Sequence, residues 1–396
     1  MYVYYLMIKK NEKIFFLLIL ISFIYSQKLT FQTSLFSHLY NKPNQNLCIS
    51  PLSIYQIMSL LSNGASGNTQ KEIIQALIPD SKIDIKTQLK LNDVNSNILR
   101  LYDSNNKYVK IANAILTKVK IKSHFLKFCK RYNALIDSLK SVVQVNKWCS
   151  QKTNGKINHI IDEINEDTKM ILLNAIYLKA DWKYKFENKN SQKRQFKNSN
   201  NQIVEVDTMF QSFDNINYYE NENIQMIELP YEDENLSMII ILPKKEKYSS
   251  SLDYMKKEKL DYTKLINKLT LTSDVHLYLP KFKLEYKDSL VNAFKKMKMK
   301  LAFSDNAEFP NLNESEPLKI SEIIHKTFIQ VDEKGTEAAA VTIIEMDDAC
   351  ILIDKEKKIK YMYVDHSFIY MIKDKRIKDT NGNNMMLFLG VVNNLA

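Results

Sequence analysis

The sequence predicts an α+β fold, because segments with helical and with strand periodicity alternate along it in no regular order. Three segments carry the prediction: an apolar helix beginning near Ser50, a continuously apolar strand over 170–178, and an apolar hairpin over 368–392. The 396 residues are 45% hydrophobic and 26% charged, as in globular proteins, so they are able to bury a sizeable core. The length suits one large domain or two ordinary ones, and neither repeats nor a Pro/Gly-rich linker divide it.

Residues 1–26 predict a secretory signal rather than a part of the fold. Lysines precede the apolar run 14–24, and the small residue Ser26 follows it as a cleavage point. An uncleaved membrane anchor is the alternative, although this run is short for a membrane span. We therefore expect a secreted protein, with no other transmembrane stretch. Two sequons begin at Asn235 and Asn313, and Asn313 is the better glycosylation candidate because Asn235 lies at the edge of a predicted strand.

Helical patterns predict three helices. Ser50 caps a helix whose first residue is Pro51, and apolar side chains surround that helix, so it is predicted to be buried. Thr69 and Glu72 predict a capping box at the start of a second, short helix. A third helical spacing joins Leu290, Phe294, Met297 and Leu301.

Apolar runs predict the strands. Residues 170–178 suit a central strand that is covered on both faces. Runs 237–242 and 275–279 are each followed by a proline, and runs 368–372 and 385–392 are predicted to form a buried hairpin. Two asparagine-rich stretches predict exposed loops, at 188–201 and 215–223.

The formal net charge of +11 does not by itself predict a nucleic-acid partner. Lys, Asn, Ile and Tyr are all abundant, which indicates a general compositional bias, and basic residues do not interleave with aromatic residues as they do in nucleic-acid modules. One local basic cluster comprises Lys118, Lys120, Lys122, Lys127, Lys130 and Arg131. It fits a solvated helix face, and a glycosaminoglycan site is the alternative.

No motif predicts catalysis or a metal site. The sequence has no GxSxG, HExxH or Walker motif, and its six histidines are scattered, so we expect no enzyme and no cofactor. Its four cysteines lack metal-ligand or CxxC spacing. We expect mostly free thiols, three of them buried, at Cys48, Cys129, Cys149 and Cys350. A disulfide between Cys129 and Cys149 is the alternative.

The segment 332–348, DEKGTEAAAVTIIEMDD, carries the functional prediction, because its side chains sort cleanly with a period of two. One face is free of charge over six positions, and its members are Thr336, Ala338, Ala340, Thr342, Ile344 and Met346. The other face carries every charge between Thr336 and Asp347. Small residues at the start suit a strand that must enter a sheet already packed, although an ordinary half-buried strand fits the same pattern.

Within this segment, EKGTEAAAVT at 333–342 resembles the hinge of inhibitory serpins. Other blocks resemble the same family in the right order, and they lie at 46–69, 145–157, 172–186, 318–338, 364–372 and 387–394. Together they span about residues 31–396. Several ordered blocks are far more specific than any single motif, so the resemblance favours a serpin over an ordinary half-buried strand in an unrelated fold.

The resemblance implies a serpin fold: a single domain over 27–396, with three β-sheets, about nine helices and an exposed reactive loop at about 333–364. It implies that a target serine protease, or alternatively a cysteine protease, cleaves the loop and is acylated by it. The cut loop then inserts as a strand into the main sheet and traps the acyl-enzyme. We expect a monomeric inhibitor that binds neither nucleic acid nor membrane. A non-inhibitory carrier, chaperone or storage protein is the alternative.

Motif by motif, the resemblance assigns two groups of site residues. The hinge comprises Glu333, Gly335, Thr336, Glu337, Ala338, Ala339 and Ala340. The polar cluster beneath the sheet, called the shutter, comprises Ser50, Ser53, Asn174 and His325. Trp182 matches the tryptophan near the top of the sheet, where insertion begins. Hydrogen-bonded buried polar groups and a core aromatic are the ordinary interpretations of these residues.

The resemblance leaves the scissile bond open, because this loop is several residues longer than usual. Counting from the hinge places the bond at Ala349–Cys350, which suits a protease with a small specificity pocket. Counting back from the C-terminal blocks places it near Asp354–Lys355, and a trypsin-like protease would suit Lys355, Lys357 or Lys358. We prefer Ala349–Cys350, because insertion fixes the distance from the hinge.

Overall fold

The computed structural model describes residues 30–79, 81, 83–102, 106–139, 141–258, 262–313, 317–336 and 359–396. Within these ranges the chain forms nine α-helices, two short 3-10 helices and sixteen strands. The α-helices are α1 Phe31–Leu39, α2 Pro51–Gly64, α3 Gly67–Leu77, α4 Ile85–Leu101, α5 Ser123–Arg131, α6 Val142–Lys152, α7 Ser251–Glu258, α8 Tyr262–Ile266 and α9 Val291–Lys296. The predicted α+β class is therefore confirmed.

A seven-stranded sheet, called the main sheet, holds the site. Its strands are β2 Val109–Thr117, β3 Leu135–Ser138, β4 Met170–Leu178, β5 Ala180–Asp181, β11 Phe282–Ser289, β12 Glu322–Val331 and β13 Gly335–Thr336. All nine residues of β4 are buried, as expected for a central strand. Its neighbours are β2, which is antiparallel to it, and β12, which is parallel to it.

The remaining strands form one nine-stranded sheet, called the second sheet. They are β1 Leu47–Ile49, β6 Gln192–Lys197, β7 Ile203–Glu220, β8 Ile224–Pro230, β9 Leu236–Pro243, β10 Thr270–Pro280, β14 Lys360–Tyr363, β15 Phe368–Lys378 and β16 Asn384–Val392. The resemblance implied three sheets, whereas the described residues form two. The long strand β7 accounts for this, since it pairs with β6 over 203–208, with β10 over 208–218 and with β8 over 217–220, which joins all of these strands in one sheet.

Helix α2 lies between the two sheets and fills the core. All fourteen of its residues are buried, which agrees with its apolar character on every side. Ser50 caps it as predicted, because the Ser50 hydroxyl accepts a hydrogen bond from the Ser53 backbone N–H at 3.3 Å. The cap and the first turn of the helix thus place Ser50 and Ser53, the two serines of the predicted shutter, beneath the main sheet.

The predicted capping box at Thr69 and Glu72 is wrong. Helix α3 begins at Gly67, and neither side chain closes onto its first turn. The Thr69 hydroxyl instead accepts from the Glu308 backbone N–H at 3.0 Å, and Glu72 accepts from the backbone N–H groups of Lys300 and Leu301 at 2.6 and 2.7 Å. Tertiary partners therefore replace the local ones.

Two further predictions need correction. The asparagine-rich stretches at 188–201 and 215–223 are loop only in part, because 192–197 belong to β6 and 215–220 to β7, where strand pairing leaves polar side chains on the solvent side. The third predicted helix ends early: α9 stops at Lys296, and Leu301 begins a separate 3-10 helix, Leu301–Phe303. Between them, Lys298 has a positive φ of 70°, which interrupts the helical path.

Candidate functional site

The four predicted shutter residues meet in one buried hydrogen-bond network between α2, β4 and β12. The Asn174 side-chain oxygen accepts from the Ser53 hydroxyl at 2.7 Å and from His325 Nδ1 at 2.6 Å. The Asn174 amide donates in turn to Asn113 Oδ1 on β2 at 2.6 Å. All of these side chains are at most 5% exposed. The network therefore links three adjacent strands through their side chains and anchors them to α2.

The hydrogen bonds of His325 fix its protonation. The Ser50 backbone N–H donates to His325 Nε2 at 3.1 Å, so this nitrogen carries no proton. Nδ1 must then carry the proton that it donates to Asn174. Complete burial lowers the pKa of His325 to about 3, because loss of contact with water disfavours the charged imidazolium. The shutter is thus a neutral network with every nitrogen of the ring satisfied.

Strands β4 and β12 are closed against each other over the lower part of the main sheet. Their parallel register runs from Ile171 opposite Glu322 to Tyr177 opposite Phe328. The His325–Asn174 bond lies in the middle of this ladder, since the two residues are register partners. Any strand that enters between β4 and β12 must break this bond together with the ladder.

Above the closed ladder, the first hinge residues already lie between the end of β12 and β5, the short strand that follows β4 in the chain. In β13, Thr336 pairs with Val331 of β12 on one side and with Ala180 of β5 on the other. Gly335 pairs with Asp181. Both hinge residues are buried. The hinge thus forms a two-residue strand at the top of the path that a longer inserted strand would follow.

A stack of aromatic side chains holds this short strand in place. The Thr336 hydroxyl hydrogen-bonds the Tyr231 hydroxyl at 2.6 Å, and the Tyr231 ring stacks on Trp182 with 4.5 Å between centroids. Trp182 Nε1 donates to the Asp332 carbonyl at 2.9 Å, and its backbone N–H donates to the Lys334 carbonyl at 2.8 Å. Trp182 therefore serves both as a core aromatic and as a hydrogen-bond donor to the backbone that leads into the hinge strand.

Glu333 anchors the chain just before the hinge strand. Its carboxylate pairs with the Lys281 ammonium at 2.6 Å and accepts from the Ser191 hydroxyl at 2.7 Å. Burial by itself would raise the pKa of Glu333, but these two partners outweigh it and lower the pKa overall. A charged glutamate therefore ties the base of the loop to the connection between β10 and β11 and to the residue that precedes β6.

Gly335 is required by close packing against β5. A Cβ atom at this position would lie 2.2 Å from the Ala180 carbonyl oxygen and 2.6 Å from the Asp181 Cα atom. Such distances are far below van der Waals contact, so only glycine allows this approach. Ala180 is itself buried and pairs with Thr336 of the hinge strand.

Part of the predicted site lies outside the described residues. This holds for the signal at 1–26, for the hinge residues Glu337, Ala338, Ala339 and Ala340, and for the reactive-bond candidates Ala349, Cys350, Asp354, Lys355, Lys357 and Lys358. The structure adds Asn113, Tyr231 and Lys281, which the sequence analysis missed. Asn113 had a signal, because it is a polar residue inside the apolar strand VKIANAILT. Tyr231 and Lys281 had none, since their partners are distant in sequence.

The cysteines, sequons and basic cluster fall at separate places. Cys48, Cys129 and Cys149 are free and buried, which rules out a disulfide between the last two.

Asn313 is only 5% exposed while Asn235 is half-buried, so the expected preference for a glycan at Asn313 is reversed. The basic side chains are mostly exposed on α5 and the segment before it, and their glycosaminoglycan partner stays a prediction.

Neither a metal-binding cluster nor a membrane-spanning helix occurs in the part of the chain that the structure describes. No three His, Cys, Asp or Glu side chains of the described ranges lie together as a metal site. No helix in those ranges is both long and apolar enough to cross a bilayer.

Comparison with known proteins identifies this arrangement. The family described as Serpin (serine protease inhibitor) matches residues 26–395. The chain belongs to the serpin family. A protein named "Uncharacterized serpin-like protein" from Methanosarcina mazei is 33% identical over 363 residues, which cover 88% of this serpin and 81% of that protein.

Other relatives of this serpin include inhibitors by name. The leukocyte elastase inhibitor of Xenopus tropicalis is 32% identical, with 88% of this serpin and 93% of that protein covered. Among solved structures, the thermophilic serpin tengpin in its native state matches with a TM-score of 0.78 and 30% identity over 94% of both chains. The serpin fold inferred from the ordered sequence blocks is therefore confirmed.

Proposed function

We propose that this serpin is secreted and inhibits serine endopeptidases as a suicide substrate. The protease serine attacks the carbonyl carbon of the scissile peptide, which forms an ester and releases a new amino terminus. The freed end of the loop then inserts between β4 and β12 and carries the acylated protease with it. Strand addition to a sheet is a known mode of recognition in this family.

One observation carries the proposal: β13 already sits at the top of the insertion path while β4 and β12 are still paired below it. The free energy gained by extending β13 into a full inserted strand is large. Roughly a dozen inserted residues, at about 1 kcal/mol net for each hydrogen bond, give on the order of 10 kcal/mol before side-chain burial. Opposing this, insertion must break the β4–β12 ladder and the shutter bond between Asn174 and His325.

The residue types fit this path. Thr336 is fully buried, and the charge-free face that begins with it continues through small residues along the predicted loop strand. Glu333 and Trp182 hold the base of the loop, so the first inserted residues need no search for their register. Such preorganisation favours insertion over hydrolysis of the acyl-enzyme, because the two processes compete after cleavage.

The test is incubation with a panel of serine proteases, followed by a denaturing gel. We expect a covalent complex that survives denaturation with at least one protease. Thr336→Arg should abolish the complex while leaving the loop cleavable, because a charged side chain cannot replace the buried Thr336. Thr270→Arg is the matched control, since Thr270 is exposed on β10 of the second sheet. Full trapping by Thr336→Arg, or cleavage of the wild type without any complex, would reject the mechanism, and the second result would favour a carrier.

A further inference from the structure

Six side chains on the outer side of the second sheet form a continuous surface, called the aromatic face. They are Arg194, Phe210, His276, Tyr278, Tyr361 and Tyr363. Adjacent strands bring them together, because His276 and Tyr278 of β10 are register partners of Tyr361 and Tyr363 of β14. The Tyr278 and Tyr363 rings stack at 4.7 Å, and Tyr361 and Tyr363 are parallel to within 2°.

The aromatic face remains accessible although its members pack on each other. Tyr361 and Tyr363 are each 43% exposed, and Ile359, directly before β14, is 38% exposed. Large exposed aromatic groups that lie together indicate an interaction surface rather than a chance arrangement. Tyrosine suits such a surface, because it buries much area on binding at a low cost in side-chain entropy.

Arg194 gives the aromatic face a positive charge with a fixed orientation. Its guanidinium lies 4.1 Å from the Tyr278 ring centroid and 6.0 Å from that of Tyr363. Within the described ranges, no carboxylate pairs with it, whereas neighbouring lysines are paired: Lys193 with Asp207 at 3.3 Å and Lys360 with Glu220 at 3.8 Å. A stacked arginine keeps its N–H donors directed outward and is prepared to receive a carboxylate.

The position of β14 indicates which partner brings that carboxylate. This strand begins at Lys360, close to the C-terminal end of the predicted reactive loop at about 333–364, and two of its side chains belong to the aromatic face. From Cys350 or Lys355 to Tyr361 the chain spans at most about 40 or 20 Å at roughly 3.5 Å per residue. A protease domain of about 230 residues has a radius of gyration of about 17 Å, so a protease on the loop reaches this face.

We propose that the aromatic face is a second docking surface for the target protease, and that it receives an acidic and apolar patch beside the protease active-site cleft. The proposal rests on the proposed inhibitory function and adds a contact outside the loop. The aromatic rings supply buried area, and Arg194 pairs with a protease carboxylate. Such a contact speeds the encounter of the two proteins but takes no part in strand insertion.

The test compares second-order rate constants of complex formation for the wild type, Arg194→Glu and Tyr361→Ala with a protease that the panel identifies. We expect each variant to be slower by about tenfold, because charge complementarity and aromatic area act mainly on docking. The number of inhibitor molecules consumed per trapped protease should stay unchanged, since it reports only on insertion. Tyr184→Ala is the matched control, because Tyr184 is 45% exposed but packs on Phe213. Phe213 lies on the opposite side of the second sheet from Phe210. We therefore expect the Tyr184→Ala variant to form the complex at the wild-type rate.

The outcomes separate this proposal from the one on which it rests. A covalent complex that forms at the wild-type rate in both variants would reject the docking surface and leave the inhibitory function intact. A panel without any complex would reject the inhibitory function and the docking surface with it. The partner of the aromatic face would instead be a carbohydrate if both variants formed the complex at the wild-type rate but were no longer retained on an immobilised oligosaccharide that retains the wild type. A loss of rate in Tyr184→Ala equal to that in the variants would also overturn the proposal.

Discussion

Lowering the pH from 7 to 5 is expected to destabilise the native protein through His325. The ring is completely buried as a neutral imidazole, with one nitrogen accepting from Ser50 and the other donating to Asn174. Protonation of Nε2 would bring its N–H against the Ser50 N–H, so that two donors face each other. It would also bury a positive charge away from water. At pH 5, His325 therefore stays neutral in the native state, whereas it is protonated in the unfolded chain.

The magnitude follows from the two pKa values of His325. Burial lowers its native pKa to about 3, whereas the ordinary value is 6.5. Between these values the unfolded chain binds more protons than the native chain, so stability rises with pH and is fully present above 6.5. Proton linkage then gives a loss of about 2 kcal/mol between pH 7 and pH 5 from this single residue.

The assay is urea-induced unfolding at several pH values, read as the free energy of the first transition. His325→Gln is the matched control, because its amide offers one donor and one acceptor in place of the neutral imidazole but does not titrate. The wild type should lose about 2 kcal/mol more than the variant between pH 7 and pH 5. Identical pH profiles for the two proteins would refute the buried neutral imidazole in the shutter.

Two further substitutions test the base of the loop. Gly335→Ala should displace the hinge strand, because its Cβ would overlap the Ala180 carbonyl, and the free energy of unfolding should fall by about 1–3 kcal/mol, with faster proteolysis of the loop. An unchanged urea midpoint and cleavage rate would contradict the close approach. Lys281→Met should lower the free energy of unfolding by about 1–2 kcal/mol, because it leaves the mostly buried Glu333 carboxylate without its cation. The expected loss is smaller than for a fully buried ion pair, because Lys281 is partly exposed. Adding Glu333→Gln should restore most of that loss, and a purely additive double variant would argue against the ion pair.

The sequence predicts best where one local cause is strong. The predominantly apolar character of α2 and β4 predicted two buried elements correctly, since an element that is buried on all sides is built mostly from apolar residues. The loop prediction for the asparagine-rich stretches was wrong in part, because β6 and β7 each have a solvent face where polar residues are compatible with strand pairing. The capping box failed because Thr69 and Glu72 find partners near residues 300–308, which local spacing does not reveal.

The site shows the same division. Ser50, Ser53, Asn174 and His325 were assigned by resemblance, and they lie in one network whose geometry no periodicity predicts. The pairings of Tyr231 with Thr336 and of Lys281 with Glu333 join residues far apart in the chain, so only the folded structure reveals them. The role of Gly335 likewise depends on the backbone of β5, which no property of the hinge sequence indicates.

The most direct measurement is the midpoint of thermal unfolding before and after the loop is cut by a protease that is not trapped. If the main sheet accepts the residues after Gly335 as a full strand between β4 and β12, the cut protein should melt at least about 10 °C higher, because an additional strand contributes on the order of 10 kcal/mol. A cut protein that melts at the same temperature as the intact one, or below it, would contradict insertion as the source of inhibition.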